Sequence, residues 1–310
     1  MRIIFMGTPD FSVPVLKALM DNGHEVVLAV TQPDKQRGRG KKVTYSPVKE
    51  EALARDIPVF QPKKIREEEN IEFLKKYEAD VMVVVAFGQI LPKAILEMTP
   101  YGCINVHASL LPKYRGAAPI QWAVLEGEKV SGVTIMQMDE GLDTGDMLLK
   151  KEVELTATET YESLHDKLSP LGAEALIETL KQVEEGEVKP VPQGETPTPY
   201  ARMIEKEMGN IDWCKDAIQV DRLIRGLNPW PSAYTMLEDK VMKVWKGEVL
   251  TEDLGKSPGE IVRVDKDGLV VQTGKGCIKI TELQVPGKKR MLASAFLLGY
   301  KVPVHTVLTQ

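Results

Sequence analysis

Cysteine is scarce: Cys103, Cys214 and Cys277 are the only three in 310 residues. They lie far apart without the spacing of a metal site, and an odd number argues against a disulfide framework, so inert buried thiols are expected. Long apolar runs are also missing, since none approaches the roughly 18 to 20 residues that span a bilayer. The opening MRIIFMGTPD lacks the apolar region and cleavage site of a secretory signal, so a cytoplasmic monomer with no membrane partner is expected. No charge sign dominates. With a net charge of -5, any nucleic-acid partner has to be met by a local basic patch rather than by the average. The first strand-turn, MGTPDF, has Gly7 alone and not the three glycines of GxGxxG, which argues against a nicotinamide site.

What is present reads as two domains, the usual expectation for this length. Arg2 to Met6 is a short apolar run closed by Gly7, and Ser12 with Pro14 opens a helical stretch. Glu25 to Val30, Val59 to Phe60, Val81 to Ala86 and Cys103 to Val106 continue as strands. Helical stretches near Ser46 to Arg55, Glu67 to Tyr77 and Pro92 to Met98 alternate with them. Such alternation implies right-handed crossovers and a Rossmann-like, mainly parallel α/β sheet, with ligands gathering at the carboxyl ends of its strands. Ser131 to Met138 reads as a further strand near the sheet's edge, and Thr158 to Val183 as one long helix in which His165 is a packing residue. Gly186 to Pro199, with Pro190, Pro192, Pro197 and Pro199, is the sharpest composition break and reads as a stiff linker. Beyond it, about five short strands in under roughly 80 residues fit a small OB-like β-barrel. The expected division is 1–189, a linker at 190–206, and 207–310.

From Glu207 onward there are 15 Lys and Arg against 13 Asp and Glu, so the tail is slightly basic while the remainder is acidic. Lys288, Lys289 and Arg290 cluster there, and Trp230, Tyr234 and Trp245 are core or a stacking surface. A second basic run, DKQRGRGKK, places Lys35, Arg37, Arg39, Lys41 and Lys42 around two glycines. A run of this kind is commonly a solvated loop, yet its spacing also suits phosphates, which give affinity without sequence.

The stretch NVHASLLPKYRG, Asn105 to Gly116, is where chemistry concentrates. Alternation points Asn105, His107 and Ser109 to one side, and Pro112 stops the strand. A carboxamide and an imidazole two residues apart at a strand end can act on one atom. Asp139 to Asp146, DEGLDTGD, packs four acids and two glycines into eight positions. Its spacing fails the EF-hand pattern, so a carboxylate hairpin beside the strand-end site is expected instead of a metal loop.

Taken with the turn AFGQILP at Ala86 to Pro92, these motifs resemble the folate-dependent formyltransferases. Asn105, His107 and Asp143 match that family's catalytic trio. The basic insertion, the tail and the whole-chain length narrow the resemblance to the branch that formylates methionyl-initiator tRNA. It implies transfer of a formyl group from 10-formyltetrahydrofolate, without a metal, to the amino group of methionine on that tRNA. Attack of an amine on a formyl carbon creates an oxyanion and an ammonium, which call for a hydrogen-bond donor and a proton acceptor. On that basis the Asn105 amide, with His107, is assigned to the oxyanion, and His107 also moves protons. Asp143 is expected to hold the imidazole's tautomer and favour its charged form, or to relay the amine's proton through water. The pterin is expected against backbone groups of Phe87, Gly88, Gln89, Ile90 and Leu91 and of Asp139, Glu140 and Gly141. The resemblance adds Ser109, Leu110, Leu111 and Pro112. Lys35, Arg37, Arg39, Lys41 and Lys42 are expected at the tRNA acceptor end, with Lys206 on its backbone. Competing readings are a formyltransferase for a purine precursor or nucleotide sugar, a non-catalytic RNA-binding protein, and a dinucleotide oxidoreductase.

Overall fold

A computed structural model describes residues 1–37 and 42–309. The chain divides into two units. One comprises Met1–Pro119, Val130–Glu154 and His165–Ala201, and the other comprises Ile120–Lys129, Leu155–Leu164 and Arg202–Gln310.

The first unit is built on a seven-stranded sheet with β1 (Arg2–Gly7), β2 (Glu25–Val30), β5 (Val59–Phe60), β6 (Val81–Val85), β7 (Cys103–His107), β8 (Val130–Gln137) and β9 (Met147–Glu154). A separate two-stranded hairpin, β3 (Lys35–Arg37) and β4 (Lys42–Thr44), stands after β2. The sheet order is β5-β2-β1-β6-β7-β8-β9. It is parallel through β7, after which β8 and β9 are antiparallel. Helices α1 (Val13–Asp21), α2 (Pro47–Ala54), α3 (Glu68–Lys75) and α4 (Lys93–Leu96) fill the crossovers. Two-residue periodicity splits the central strands between faces: Ile4, Met6, Leu28, Val30, Met82 and Val84 share one core with Ile71, Leu74 and Ile95 of α3 and α4. Ile3, Phe5, Val81, Val83 and Val85 alternate with them and are equally buried, as strands covered on both faces require. Local capping agrees with the sequence. Pro47 opens α2 and the Ser46 hydroxyl accepts from Lys49 N at 3.1 Å.

Three differences from the sequence reading follow from chain geometry. The edge of the sheet is β9, whose LLKKEVE alternation was too polar to read as a strand but suits a solvated edge. A short helix, α5 (Pro119–Leu125), was not expected. The long helix, α6 (Tyr161–Glu185), starts after Thr160 and not at Thr158. Thr160 and Ser163 exchange backbone-to-hydroxyl bonds of 3.0 and 3.1 Å in a reciprocal cap. His165 packs edge-on to Phe11 at 5.4 Å between ring centroids.

The second unit contains α7 (Ala217–Gly226), α8 (Ala293–Gly299) and strands β10 (Ala233–Leu237), β11 (Lys240–Leu250), β12 (Ile261–Asp265), β13 (Gly268–Gln272), β14 (Cys277–Gln284) and β15 (Met291–Leu292). The antiparallel order is β10-β11-β14-β13-β12, with β15 beside β14. Residues 305–309 bridge the two ends: Met236 and Thr309 exchange backbone bonds on one side, and Ile261 N donates to Thr306 O on the other. The tail thus closes the sheet into a barrel, the arrangement that removes open sheet edges. Irregular register near Lys246 lets the long β11 bend, and Trp213, Met242, Ile261, Val271 and Ile280 fill the interior. Among the described residues, no helix is long and apolar enough to cross a membrane.

Cys103 and Cys277 are buried as expected, but Cys214 is exposed. Burial pushes the Cys103 thiol up to about 12, and it raises that of Cys277 as well. Since the thiolate is the nucleophile, both stay unreactive in the folded chain. Iodoacetamide at pH 8 is therefore expected to label Cys214 alone under native conditions and all three thiols in denaturant, as read by intact mass. Rapid native labelling at Cys103 would contradict this packing.

Candidate active site

All five residues of β7, CINVH, are buried, and alternation places Asn105 and His107 on one face of the strand. Asn105 lies between Val84 of β6 and Met136 of β8, and His107 pairs with Thr134. The Asn105 residue is 8% exposed, yet its carboxamide makes no hydrogen bond among the described residues. Among the described residues the enclosed side-chain atoms without a partner belong to Asn210, Asn228 and Trp245 and not to Asn105, so this amide opens to solvent and is available as a donor. His107 is 6% exposed and its Nε2 lies 3.0 Å from the Tyr114 carbonyl oxygen. A carbonyl can only accept, so Nε2 must hold a hydrogen. Tyr114, and not Asp143, therefore fixes the tautomer, and Nδ1 is left facing Asp143 Oδ2 at 3.8 Å. That separation is a charge contact and too long for a hydrogen bond.

Asp143 reaches His107 by a path the sequence does not show. Met138 N donates to Cys103 O, so the turn after β8 begins beside the first residue of β7 and folds back along that strand. The Asp139 carboxylate closes this turn by accepting from Gly141 N at 3.0 Å and Thr144 Oγ1 at 2.7 Å. Asp139 is thereby a turn-former. Asp143 Oδ2 accepts from Gly116 N at 2.9 Å, so the loop after His107 itself holds the carboxylate. Tyr114 and Asp143 have φ of 57° and 55°, and Ala86 at the end of β6 has 47°. Left-handed non-glycine residues persist only where their surroundings hold them, and these three lie on loops bordering β7 or β6.

The proline-rich stretch is fixed to the same region. The Gln193 side chain donates from Nε2 to the Asp143 and Gly145 carbonyls at 2.8 and 2.7 Å, and its Oε1 accepts from Arg115 Nε at 2.9 Å. Thr198 Oγ1 accepts from Tyr114 N at 2.8 Å, and Ala201 O accepts from Ala117 N at 2.8 Å. Tyr200 is half exposed; burial, followed by the charge of Asp143, pushes its phenol above the ordinary value. Sequence reasoning missed Tyr114, Gly116, Gln193 and Thr198. The available signal was weak: a glycine in KYRG, and a long carboxamide in a stretch where a spacer needs none.

The other expected contacts divide. The Phe87 and Gly88 carbonyls accept from Gln32 Nε2, both at 3.2 Å, whereas the N–H groups of Gly88, Gln89, Ile90 and Leu91 make no hydrogen bond among the described residues. The Gln89 side chain is committed to Ile65 N and Pro62 O, Leu91 is buried and Ile90 is exposed. Glu140 and Gly141 are exposed on the turn. The strand ends at His107, so Ser109 lies in the loop, and its hydroxyl donates to Lys113 O at 2.7 Å. Leu111 is buried with Met136 and Met147, Leu110 is half-buried and Pro112 follows a cis bond.

Lys35, Arg37 and Lys42 belong to the hairpin, with Lys35 opposite Thr44 and Arg37 opposite Lys42. Arg39 and Lys41 lie outside the described residues. Asp34, just before the hairpin, is matched by Lys49 at 2.6 Å, and that bond together with one from Gln61 holds its carboxyl below the usual range. Lys206 is an exposed residue of a 3₁₀ turn in the second unit. There too, Arg290 lies over the half-buried Trp245 at 4.9 Å, beside exposed Lys288 and Lys289.

Comparison with known proteins gives two family matches: Formyl transferase over residues 1–180, and Formyl transferase, C-terminal domain over residues 203–301. A methionyl-tRNA formyltransferase of Agathobacter rectalis is 57% identical over 302 residues, 97% of each chain. That of Clostridioides difficile is 53% identical over 308 residues, 99% of this chain and 100% of the other. Among solved structures, WlaRD, a sugar 3N-formyl transferase, matches with a TM-score of 0.68 at 20% identity over 93% of this chain and 99% of that one. HypX from Aquifex aeolicus, in complex with tetrahydrofolic acid, matches with a TM-score of 0.64 at 20% identity over 96% of this chain. The chain spans about half of HypX, at 47%. At such identities the two structures establish likeness of fold.

Proposed function

Since this chain belongs to the formyl transferases, and within them to the methionyl-tRNA formyltransferases, we propose that it transfers the formyl group of 10-formyltetrahydrofolate to the amino group of methionyl-initiator tRNA through Asn105, His107 and Asp143. The product is N-formylmethionyl-tRNA, the initiator of translation. Residues 1–189 perform the transfer, 207–310 contact the tRNA, and 190–206 connect them. The observation that carries the assignment is an unpartnered, solvent-open Asn105 amide two residues from an imidazole whose Nδ1 faces a carboxylate.

The amine lone pair attacks the formyl carbon, giving a tetrahedral oxyanion and an ammonium. Asn105 Nδ2 donates to the oxyanion, a contact typically worth about 2.7 to 4 kcal/mol. The neutral His107 ring commits its one hydrogen to Tyr114 O, so its open atom is the Nδ1 lone pair. Nδ1 takes the ammonium proton, and the resulting imidazolium lies beside the Asp143 carboxylate. The same proton then passes to the folate nitrogen as its bond to the formyl carbon breaks. The pterin is held by the open N–H groups of Gly88 to Leu91 beside the Asp139 to Gly141 turn. Ser109, Leu110, Leu111 and Pro112 continue that wall.

The basic stretch with Lys35, Arg37, Arg39, Lys41 and Lys42 meets the acceptor end of the tRNA, and Lys206 meets its backbone. The test compares formyl transfer from 10-formyltetrahydrofolate to methionyl-tRNA and to small amino sugars, with wild type and a variant carrying glutamine at those five positions. Methionyl-tRNA is the expected acceptor, and equal rates with a small amine would reject the tRNA reading. The variant is expected to bind tRNA more weakly, with a log–log salt slope lower by roughly 0.7 to 0.9 for each phosphate that is no longer neutralised, and to bind folate normally. An unchanged slope removes the hairpin from the interface.

A further inference from the structure

We propose that Gln193 is a positioning residue for Asp143, so that part of the catalytic geometry is set by the stretch between the two family matches. Those matches end at residue 180 and resume at 203, leaving Gln193 outside both. The residue is 8% exposed and every polar atom of its side chain is committed. Its two N–H hydrogens span the Asp143 and Gly145 carbonyls, and its oxygen meets Arg115 Nε. Chemistry fixes this orientation. Turning the amide over would set an oxygen against two carbonyls and an NH₂ against a guanidinium.

The clamp is itself anchored on both sides. Val191 exchanges two backbone bonds of 2.9 Å with Met147, and Arg115 donates from its other arm to Gly194 O at 2.9 Å. Asp143, in contrast, sits in the left-handed region, where a non-glycine residue stays only if held. Two segments hold it. Gly116 takes the carboxylate, and Gln193 takes the carbonyl of the same residue. Losing the second grip lets the turn relax, and the 3.8 Å approach to His107 is the distance that changes. Mere turn stability would need only the Gly145 contact, whereas contact with Asp143's own carbonyl ties Gln193 to where that carboxylate points.

This inference rests on the reading of Asp143 as part of the transfer site. The experiment is a double-mutant cycle on the full chain, with single-turnover and steady-state formylation of methionyl-tRNA by 10-formyltetrahydrofolate. Gln193→Met keeps the side-chain bulk and removes the donors. It is expected to lower kcat by roughly 10- to 100-fold, the penalty of a displacement near 1 Å, with KM for both substrates within about twofold. Combined with Asp143→Asn, it is expected to add nothing further, because its effect passes through that carboxylate. Wild-type kcat in Q193M, or single effects that multiply in the double variant, would overturn the proposal while leaving the Asp143 reading intact. Wild-type kcat in D143N would overturn that reading and the proposal together. Should Q193M fail to fold, Arg115→Gln, which frees the Gln193 oxygen, enters the same cycle with the same outcomes.

Discussion

Replacing His107 with alanine lowers the single-turnover rate of formyl transfer by about 10²- to 10⁴-fold, the usual contribution of a positioned proton acceptor. The affinities for tRNA and folate change little, because the ring lies in β7 and turns its open nitrogen to Asp143. Asn105→Ala acts on the other developing charge and lowers the same rate by about 10²- to 10³-fold. The two variants differ in what they do to the fold. The Asn105 side chain makes no hydrogen bond among the described residues, so its loss orphans nothing, whereas removing His107 takes a hydrogen bond away from the Tyr114 carbonyl, worth about 0.5 to 1.5 kcal/mol. N105A is thus expected to melt close to wild type and H107A several degrees lower. Rates are compared well below both transitions. Wild-type turnover in H107A would sink the mechanism, and wild-type turnover in N105A would remove the amide from the oxyanion.

Most strands of the first sheet were legible because apolar periodicity is a local property, and Glu25 to Val30 is read to the residue. So were Asn105 and His107, which share a face by alternation alone. What was not legible depends on register and return paths. The pairing of Ile104 with Gln137 starts the acidic turn at the far end of β7, which is why Asp143 must travel back along the strand. Proline composition was equally uninformative about Gly186 to Pro199. Proline lacks an N–H, so a free spacer and a pinned segment look alike; the pinning is done by Val191, Gln193 and Thr198 between the prolines and by Ala201 just beyond them. The acceptor that fixes the imidazole was invisible for a related reason: it is a backbone carbonyl, that of Tyr114, and no residue type announces that.

Glycine at 116 gives the second large effect, because three constraints meet there. Its φ is +128°, a conformation that side chains rarely adopt. A Cβ would lie 2.6 Å from Ala201 O and 2.8 Å from Tyr200 Cζ, so either the segment carrying them or the loop after His107 has to move. Its N–H is the donor to Asp143 Oδ2. Gly116→Ala is therefore expected to destabilise the chain by about 1 to 3 kcal/mol from backbone strain. It is also expected to lower turnover by about 10²-fold through displacement of the carboxylate. Strain alone is separated from displacement by Gly186→Ala. Gly186 has φ +70° just after α6 and nothing within 4 Å of its would-be Cβ. That variant meets the left-handed penalty, about 1 kcal/mol, without a clash or any contact to Asp143, and is expected to keep its turnover. Equal losses of turnover in the two variants would mean that general loosening is responsible. A loss confined to G116A places the effect on the N–H that holds Asp143, and so on the 3.8 Å between that carboxylate and His107.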